Sequence, residues 1–264
     1  MIEVRYQAQL GNQLFQYCFG RILAEGLGYR LNAGPVEPFA GTAAPVEGAA
    51  FETPVWDCPE EARLGEVFAD RAPRRIVVSG YMQNYRYYRG HREKIREWLA
   101  LGPSKEQPEP GALVVHIRLG DYWKLGWVLS LKYYHSVIEQ EKFSRLYIVT
   151  DEPNSPFLKS FARYKPVLVT GSPIGSLRFI RAARRIVLSQ STYGWWGAYL
   201  SDADRIYFPV PKTSLWSTRS RVDLRVDEPR YIYVTGVDSL KKVGTKSVDA
   251  AEGEQSLHGD DYSV

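Results

Sequence analysis

Cysteine is scarce, with Cys18 and Cys58 the only two in 264 residues. The pair could form one disulfide. Two thiols in so long a chain nevertheless fit a reduced compartment better than a disulfide-stapled secreted domain. A chain of this length buries roughly 70–75% of its unfolded surface and needs no staples. Histidine is nearly as rare, four in all, and no His or Cys stands at metal-ligand spacing, which argues against a structural zinc. No stretch approaches the ~18 consecutive apolar residues of a membrane span. The start, Met1–Tyr6, carries Glu3 and Arg5 and has no apolar run, so a soluble cytoplasmic protein without a signal peptide is the expectation. Walker, G-x-S-x-G and G-x-G-x-x-G patterns are all missing. An Asp-x-Asp triplet after a strand is missing too; Asp202-Ala203-Asp204 comes nearest and opens a strand instead.

What is present is ordinary for a soluble globular chain, with 44% hydrophobic and 24% charged residues. The 22 glycines show no three-residue period, which excludes collagen. A net charge of +4 is too small for a dedicated nucleic-acid binder. After Thr235 the chain holds three Lys against six Asp or Glu, so this −3 segment leaves about +7 for the rest. A mildly basic body suits a small anionic ligand, though ordinary surface charge would look the same. The segment 236–264 reads as a polar, mobile tail.

The pattern of the remainder is α/β. Residues 2–6 read as a strand, 7–12 as a loop, and QLFQYCFGRILAEGLG as a helix stopped by Gly26 and Gly28. Residues 33–58 show no period and read as a long connection. A helix is expected over 59–69, a strand over 75–81 and an amphipathic helix over 91–101. The Pro- and Gly-rich stretch 102–111 marks a boundary. Beyond it, strands at 112–117, 145–150, 165–170, 185–190 and 205–209 alternate with helices at 131–142, 154–163, 174–184 and 192–201. Strands separated by helices imply parallel sheets. The expected organisation is an N-terminal α/β lobe over 1–105 and a C-terminal α/β lobe over 106–235. Both would be Rossmann-type, with a cleft between them.

Ligands in such sheets bind beyond the carboxyl ends of the strands. VVHIRLGDYW (114–123) puts His116, Arg118 and Asp121 there, and an Arg fork at that place grips a phosphate. An Arg118–Asp121 pair across a turn would leave the same trace. In LSQSTYGWWGAYLSD (188–202), Ser191 and Thr192 end a strand and open a helix whose N-terminus attracts anions. Of the adjacent Trp195 and Trp196, at least one belongs in the core. Asn12 and Gln13 of LGNQLFQ either cap a helix or meet a diphosphate or sugar. Asp151, ending YIVTDEP, suits ribose hydroxyls or a guanine edge, or caps the following helix. The run GYMQNYRYYRGHR (80–92) fits sugar or RNA stacking, and equally a lobe interface.

Taken in order, these segments resemble the α-1,2-fucosyltransferase family, glycosyltransferase family 11. LGNQLFQYCFGRILA is similar to its G-G-x-G-N-Q-x-F-Q-Y-A segment, GYMQNYRYY to G-Y-x-Q-x-x-x-Y-F, and HIRLGDY to H-x-R-R-G-D-Y. YYHSVI, IVTDEP, SQSTYGWWGAYLS and PKTSLW (211–216) follow in register. The resemblance implies a GT-B-like fold and an inverting transfer of L-fucose from GDP-β-L-fucose to a glycan hydroxyl, the 2-OH of galactose. Neither a metal nor another cofactor would be required. No nucleic acid would take part, and a peripheral association with a membrane stays open. It assigns Arg118 to the β-phosphate, with His116, Asp151, Ser191, Thr192 and Tyr193 shaping the GDP site. Asn12 would face it across the cleft. Asp121 is the nearest carboxylate to act as base, though a structural role as a turn cap is the stronger reading. Leu119 stands where the family has its second Arg, removing a cation, and Ala8 and Gln9 replace the first glycines. The rival readings are a GDP-sugar or glycan-binding module without transfer activity, a transferase for another GDP-sugar, and an RNA binder using 80–92.

Overall fold

Residues 1–102, 106–212 and 222–240 are described by the computed structural model. Two sheets, parallel throughout, organise them. The first contains β1 (Ile2–Val4), β2 (Leu31–Asn32), β3 (Val55–Cys58) and β4 (Arg75–Val78) in the order β2-β1-β4-β3. The second contains β5 (Leu113–Ile117), β6 (Leu146–Thr150), β7 (Val167–Val169), β8 (Arg185–Val187), β9 (Arg205–Pro211) and β10 (Tyr231–Val237). Their order is β7-β6-β5-β8-β9-β10. Counted from its own first strand this is 3-2-1-4-5-6, the doubly wound nucleotide-binding order. The sequence reason is visible in β5, whose LVVHI is buried at every position because helices cover both faces. The α/β, two-lobed arrangement expected from the sequence is the one observed.

Helices α1 (Leu10–Leu27), α2 (Leu64–Ala69), α3 (Arg92–Trp98), α4 (Tyr122–Leu125), α5 (Leu131–Gln140), α6 (Pro173–Ala182) and α7 (Thr192–Tyr199) make the connections. At the end of α1, Gly28 adopts φ +69° and donates its N–H to Ala24 O, closing the helix in the left-handed conformation glycine tolerates. Residues 156–164, expected as α-helix, form a 3₁₀ helix that still buries Leu158 and Phe161.

Three expectations about organisation change. The connection 33–58 contains β3, an edge strand with Val55 and Asp57 exposed, so its apolar pattern is too weak to read. A strand at 231–237 went unread, although YIYVTGV is rich in β-branched and aromatic residues. It carries the chain past residue 235, and Ser130 N–H then donates to Asp238 O at 2.9 Å and Leu240 N–H to Val128 O at 2.7 Å. Residues 236–240 therefore pack on the C-terminal lobe, while 241–264 of the expected tail lie outside the described residues. So do 213–216 of PKTSLW.

An aromatic seam joins the lobes. Phe15 of α1 packs against Tyr88, Trp195 and Trp196 with ring centroids 5.3, 4.8 and 4.7 Å away. Both tryptophans are 0% exposed, so both are core. Residues 85–88 of the run 80–92 belong to this seam: Tyr85, Tyr87 and Tyr88 are buried, leaving none of the three rings to stack on a base. Residues 222–224 bridge the lobes: Tyr85 N–H of the first lobe donates to Asp223 O at 2.7 Å, and Trp195 Nε1 of α7 to Leu224 O at 2.8 Å. Cys18 and Cys58 are free and buried; burial pushes the first thiol well above its usual range and the second to about 12. No helix among the described residues is long and apolar enough to cross a membrane.

Candidate functional site

Each sheet has a place where the strand order reverses, between β1 and β4 in one and between β5 and β8 in the other. Crevices form there because successive connections leave toward opposite faces. The two reversals face a shared cavity of about 850 Å³, within the range of small-ligand sites. From the first lobe come Ala8–Asn12 after β1, with Tyr81 and Gln83 after β4. From the second come His116, Arg118, Asp121, Tyr122 and Trp127 after β5. Val149–Asp151 and Pro153 line it at the end of β6, Thr170, Gly171, Pro173 and Ser176 after β7, and Ser191–Tyr193 after β8. Of the candidates singled out from the sequence, Asn12, His116, Arg118, Asp121, Asp151, Ser191, Thr192 and Tyr193 line this cavity, whereas Gln13 does not and donates from Nε2 to Ala8 O at 3.0 Å. Tyr81 and Gln83 fall in the run 80–92 and Tyr122 in HIRLGDY, without having been assigned roles of their own; Trp127 and the β7–α6 loop were not singled out. For the last, a strand followed by Gly-Ser-Pro was the available signal.

Arg118 is the only cation among the described residues lining the cavity, and it is heavily engaged. Its guanidinium meets Asp121 Oδ1 at 2.6 Å, Asp151 Oδ2 at 3.1 Å and Gln9 Oε1 at 3.3 Å. It also lies over the Tyr122 ring at 5.4 Å. Asp151 is fixed from its other oxygen by the Leu119 N–H at 2.9 Å. A Cβ at Gly120 would come within 2.4 Å of Asp151 Oδ2, so the turn needs glycine for that carboxylate to approach. Asp151 thus serves the turn after β5, and its own 3₁₀ helix is capped without it. Asp121 occupies the N-cap position of α4 but makes no capping bond. The Arg118–Asp121 pair is the contact observed. One cation against two carboxylates leaves the lining slightly acidic; the positive charge of the body is not concentrated here.

Leu119 itself is 0% exposed in the core beneath β5 and takes no part in the lining. Ala8 adopts φ +59°, a left-handed conformation that glycine tolerates far better.

His116 is buried and shares a 2.8 Å hydrogen bond between Nδ1 and Ser189 Oγ. Burial, with Arg118 nearby, drives its pKa down to about 3, so the ring is neutral at physiological pH. Gly194 makes room for it: a Cβ there would lie 2.5 Å from His116 Nδ1. Ser191 caps α7, its Oγ accepting a long bond from Gly194 N–H at 3.5 Å. The N–H groups of Thr192 and Tyr193, in the first turn, have no intrahelical acceptor and face the cavity end of the helix. Burial raises the Tyr193 phenol, which stays neutral and donates to Pro173 O. Asn12 is not a cap, because α1 begins two residues earlier with Gln9 as its N-cap; its Oδ1 accepts from Gln83 Nε2 at 2.8 Å. What the cavity offers is a helix N-terminus, a guanidinium and neutral amide and hydroxyl groups.

The sequence matches no protein-family model and no curated protein. Among solved structures, the chain is similar to NodZ, an α-1,6-fucosyltransferase, in a crystal soaked with GDP-fucose. The TM-score is 0.46 at 14% identity, covering 78% of this chain and 93% of that one. The fucosyltransferase NodZ from Bradyrhizobium gives 0.43 at 13% identity over 78% and 94% of the two chains. Its selenomethionine form gives 0.45 at 15% identity over 78% and 93%.

Proposed function

We propose that the chain is an inverting glycosyltransferase that moves L-fucose from GDP-β-L-fucose to a glycan hydroxyl, the 2-OH of galactose. One observation carries this reading. Five segments that resemble the α-1,2-fucosyltransferase motifs, spread from residue 10 to residue 193, each contribute side chains to a single cavity. Burial or chain proximity would not by itself gather Asn12, Gln83, Arg118, Asp151 and Thr192.

In this reading the acceptor oxygen attacks the anomeric carbon while the bond to the GDP oxygen breaks, inverting β to α. Arg118 and the first-turn N–H groups of α7 neutralise the charge growing on the diphosphate, the type of stabilisation worth most in a water-poor site. Neutral His116 packs under the nucleotide without adding charge. Asn12, held by Gln83, approaches from the first lobe, which becomes the acceptor side, with residues 106–235 as the donor side. The scheme needs no metal, and the scarcity of cysteine fits a cytoplasmic setting.

The test is GDP release from GDP-fucose with a panel of β-galactosides, followed by linkage analysis of the product. Wild type should turn over and Arg118→Ala should lose about 10²–10³ in kcat. Tight GDP binding with no transfer or donor hydrolysis would support the binding-module reading. Turnover with a different GDP-sugar would keep the reaction and change the donor.

A further inference from the structure

Arg118 already meets two carboxylates and an amide, and both hydrogens of its Nη2 are engaged, by Asp121 and Gln9. Either bidentate edge of the guanidinium uses Nη2, so a phosphate gripped by the fork must expel a partner there. Asp151 is the partner held in place: it accepts from Leu119 N–H and is wedged against Gly120. Asp121 is the partner free to leave. Its side chain is 52% exposed, it caps nothing, and Arg118 is its salt-bridge partner. Exposed ion pairs of this kind contribute little, whereas phosphate offers the same guanidinium a stronger charge-assisted, bidentate match.

We propose that Asp121 masks Arg118 until a diphosphate displaces it, and that the released carboxylate then accepts the proton of the attacking hydroxyl. The proposal rests on the glycosyl-transfer reading for its second half. The balance is simple. The acceptor O–H bond breaks, its proton goes to an Asp121 oxygen, and its electron pair forms the new bond to the anomeric carbon. The bond from that carbon to the β-phosphate oxygen breaks, and its pair stays on GDP beside Arg118. Donor binding would thereby create the base, so that a free carboxylate appears only when there is a donor to attack. The other groups facing Asp121 fit poorly as the base. Tyr122 is pushed up to about 12 by burial, His116 is neutral with its Nδ1 on Ser189, and Asp151 is fixed to the turn.

Asp121→Asn separates the two halves. Removing the competing charge should tighten binding of GDP, and of inorganic pyrophosphate as a donor-independent probe, by about fivefold in calorimetry. Transfer to a galactoside hydroxyl should fall by about 10²–10⁴. Transfer to azide, a nucleophile with no proton to lose, should proceed as in wild type. Weaker pyrophosphate binding in the variant overturns the masking. Undiminished transfer to the hydroxyl, or equal loss with azide and hydroxyl, overturns the base, and Asp121→Ala repeats the comparison should the first variant misfold. Wild type that binds pyrophosphate yet turns over no GDP-sugar refutes the transferase reading and the base with it, while leaving the masking to be judged by the pyrophosphate arm.

Discussion

Trp196 donates its indole N–H to the carbonyl of Gly11 at 2.9 Å, a bond between residues 185 apart in sequence. It joins the first turn of α1 to the first turns of α7, so the helix that leaves the reversal point of one sheet is pinned to the helix that leaves the other. The bond ties the two walls of the cavity together, alongside the contacts of Phe15 with Trp195 and Trp196.

Gly11→Ala attacks that contact. A Cβ there would stand 2.5 Å from Thr192 Oγ1, 2.6 Å from Tyr193 N and 2.9 Å from Thr192 C, mostly backbone that cannot step aside. Overpacking of this kind costs about 1–3 kcal/mol. The expected outcome is a lower urea midpoint together with weaker GDP binding, because the N–H groups of α7 move with the lobe.

Ala8→Gly should act in the opposite sense. The left-handed conformation costs a non-glycine residue about 1–2 kcal/mol, partly offset by glycine's greater freedom in the unfolded chain. With Ala8 at φ +59° and exposed, the variant should gain up to about 1 kcal/mol in urea unfolding. No gain, or a loss, would show that the loop relaxes to another conformation in solution.

Arg92→Ala should loosen the other end of α7. From α3 in the first lobe, Arg92 donates to Tyr199 O at 2.8 Å and to Ser201 O, placing a cation on carbonyls that the helix end leaves unpaired. Arg230 reaches the same carbonyls at 3.1 and 2.7 Å and softens the loss. A destabilisation of about 1–2 kcal/mol is expected, and Arg92→Lys, lacking the fork, should recover only part of it.

The histidine in the cavity predicts a pH dependence. His116 titrates near 3 when folded against about 6.5 when unfolded, so in that window the unfolded chain binds the extra proton. Stability contributed by the neutral ring is complete above pH 6.5 and lost as pH falls toward 3, at a slope approaching 1.4 kcal/mol per pH unit, about the value for one proton. Burial depresses His91 and His135 in the same direction. The measurement is thus the difference in unfolding free energy between wild type and His116→Gln across pH 4.5–7. A difference that stays flat sinks the assignment.

Much of the second lobe was legible because most strands there are short apolar runs bounded by turn residues, and helices α5 and α6 each bury one face. Two edge strands, β3 and β10, were not. β3 alternates weakly and pairs on one side only, and β10 lies beyond a stretch with little pattern. The run at 80–92 shows the limit from another side: its mixture of Tyr and Arg reads alike whether it meets a ligand or a neighbouring lobe. Burial of Tyr85, Tyr87 and Tyr88 assigns its later part to the interface, while Tyr81 and Gln83 line the cavity.

Local order in the chain, then, determined the alternation of strands and helices and the positions of the polar clusters that end the strands. These follow from periodicity and turn chemistry, which act over a few residues. Only the tertiary structure decided what those clusters meet. That Leu119 turns inward, that Asp121 lies on Arg118 rather than capping α4, and that Asn12 rests on Gln83 depend on contacts between distant segments. Sheet order and the Gly11–Trp196 seam bring those segments together, and no local pattern encodes such distances.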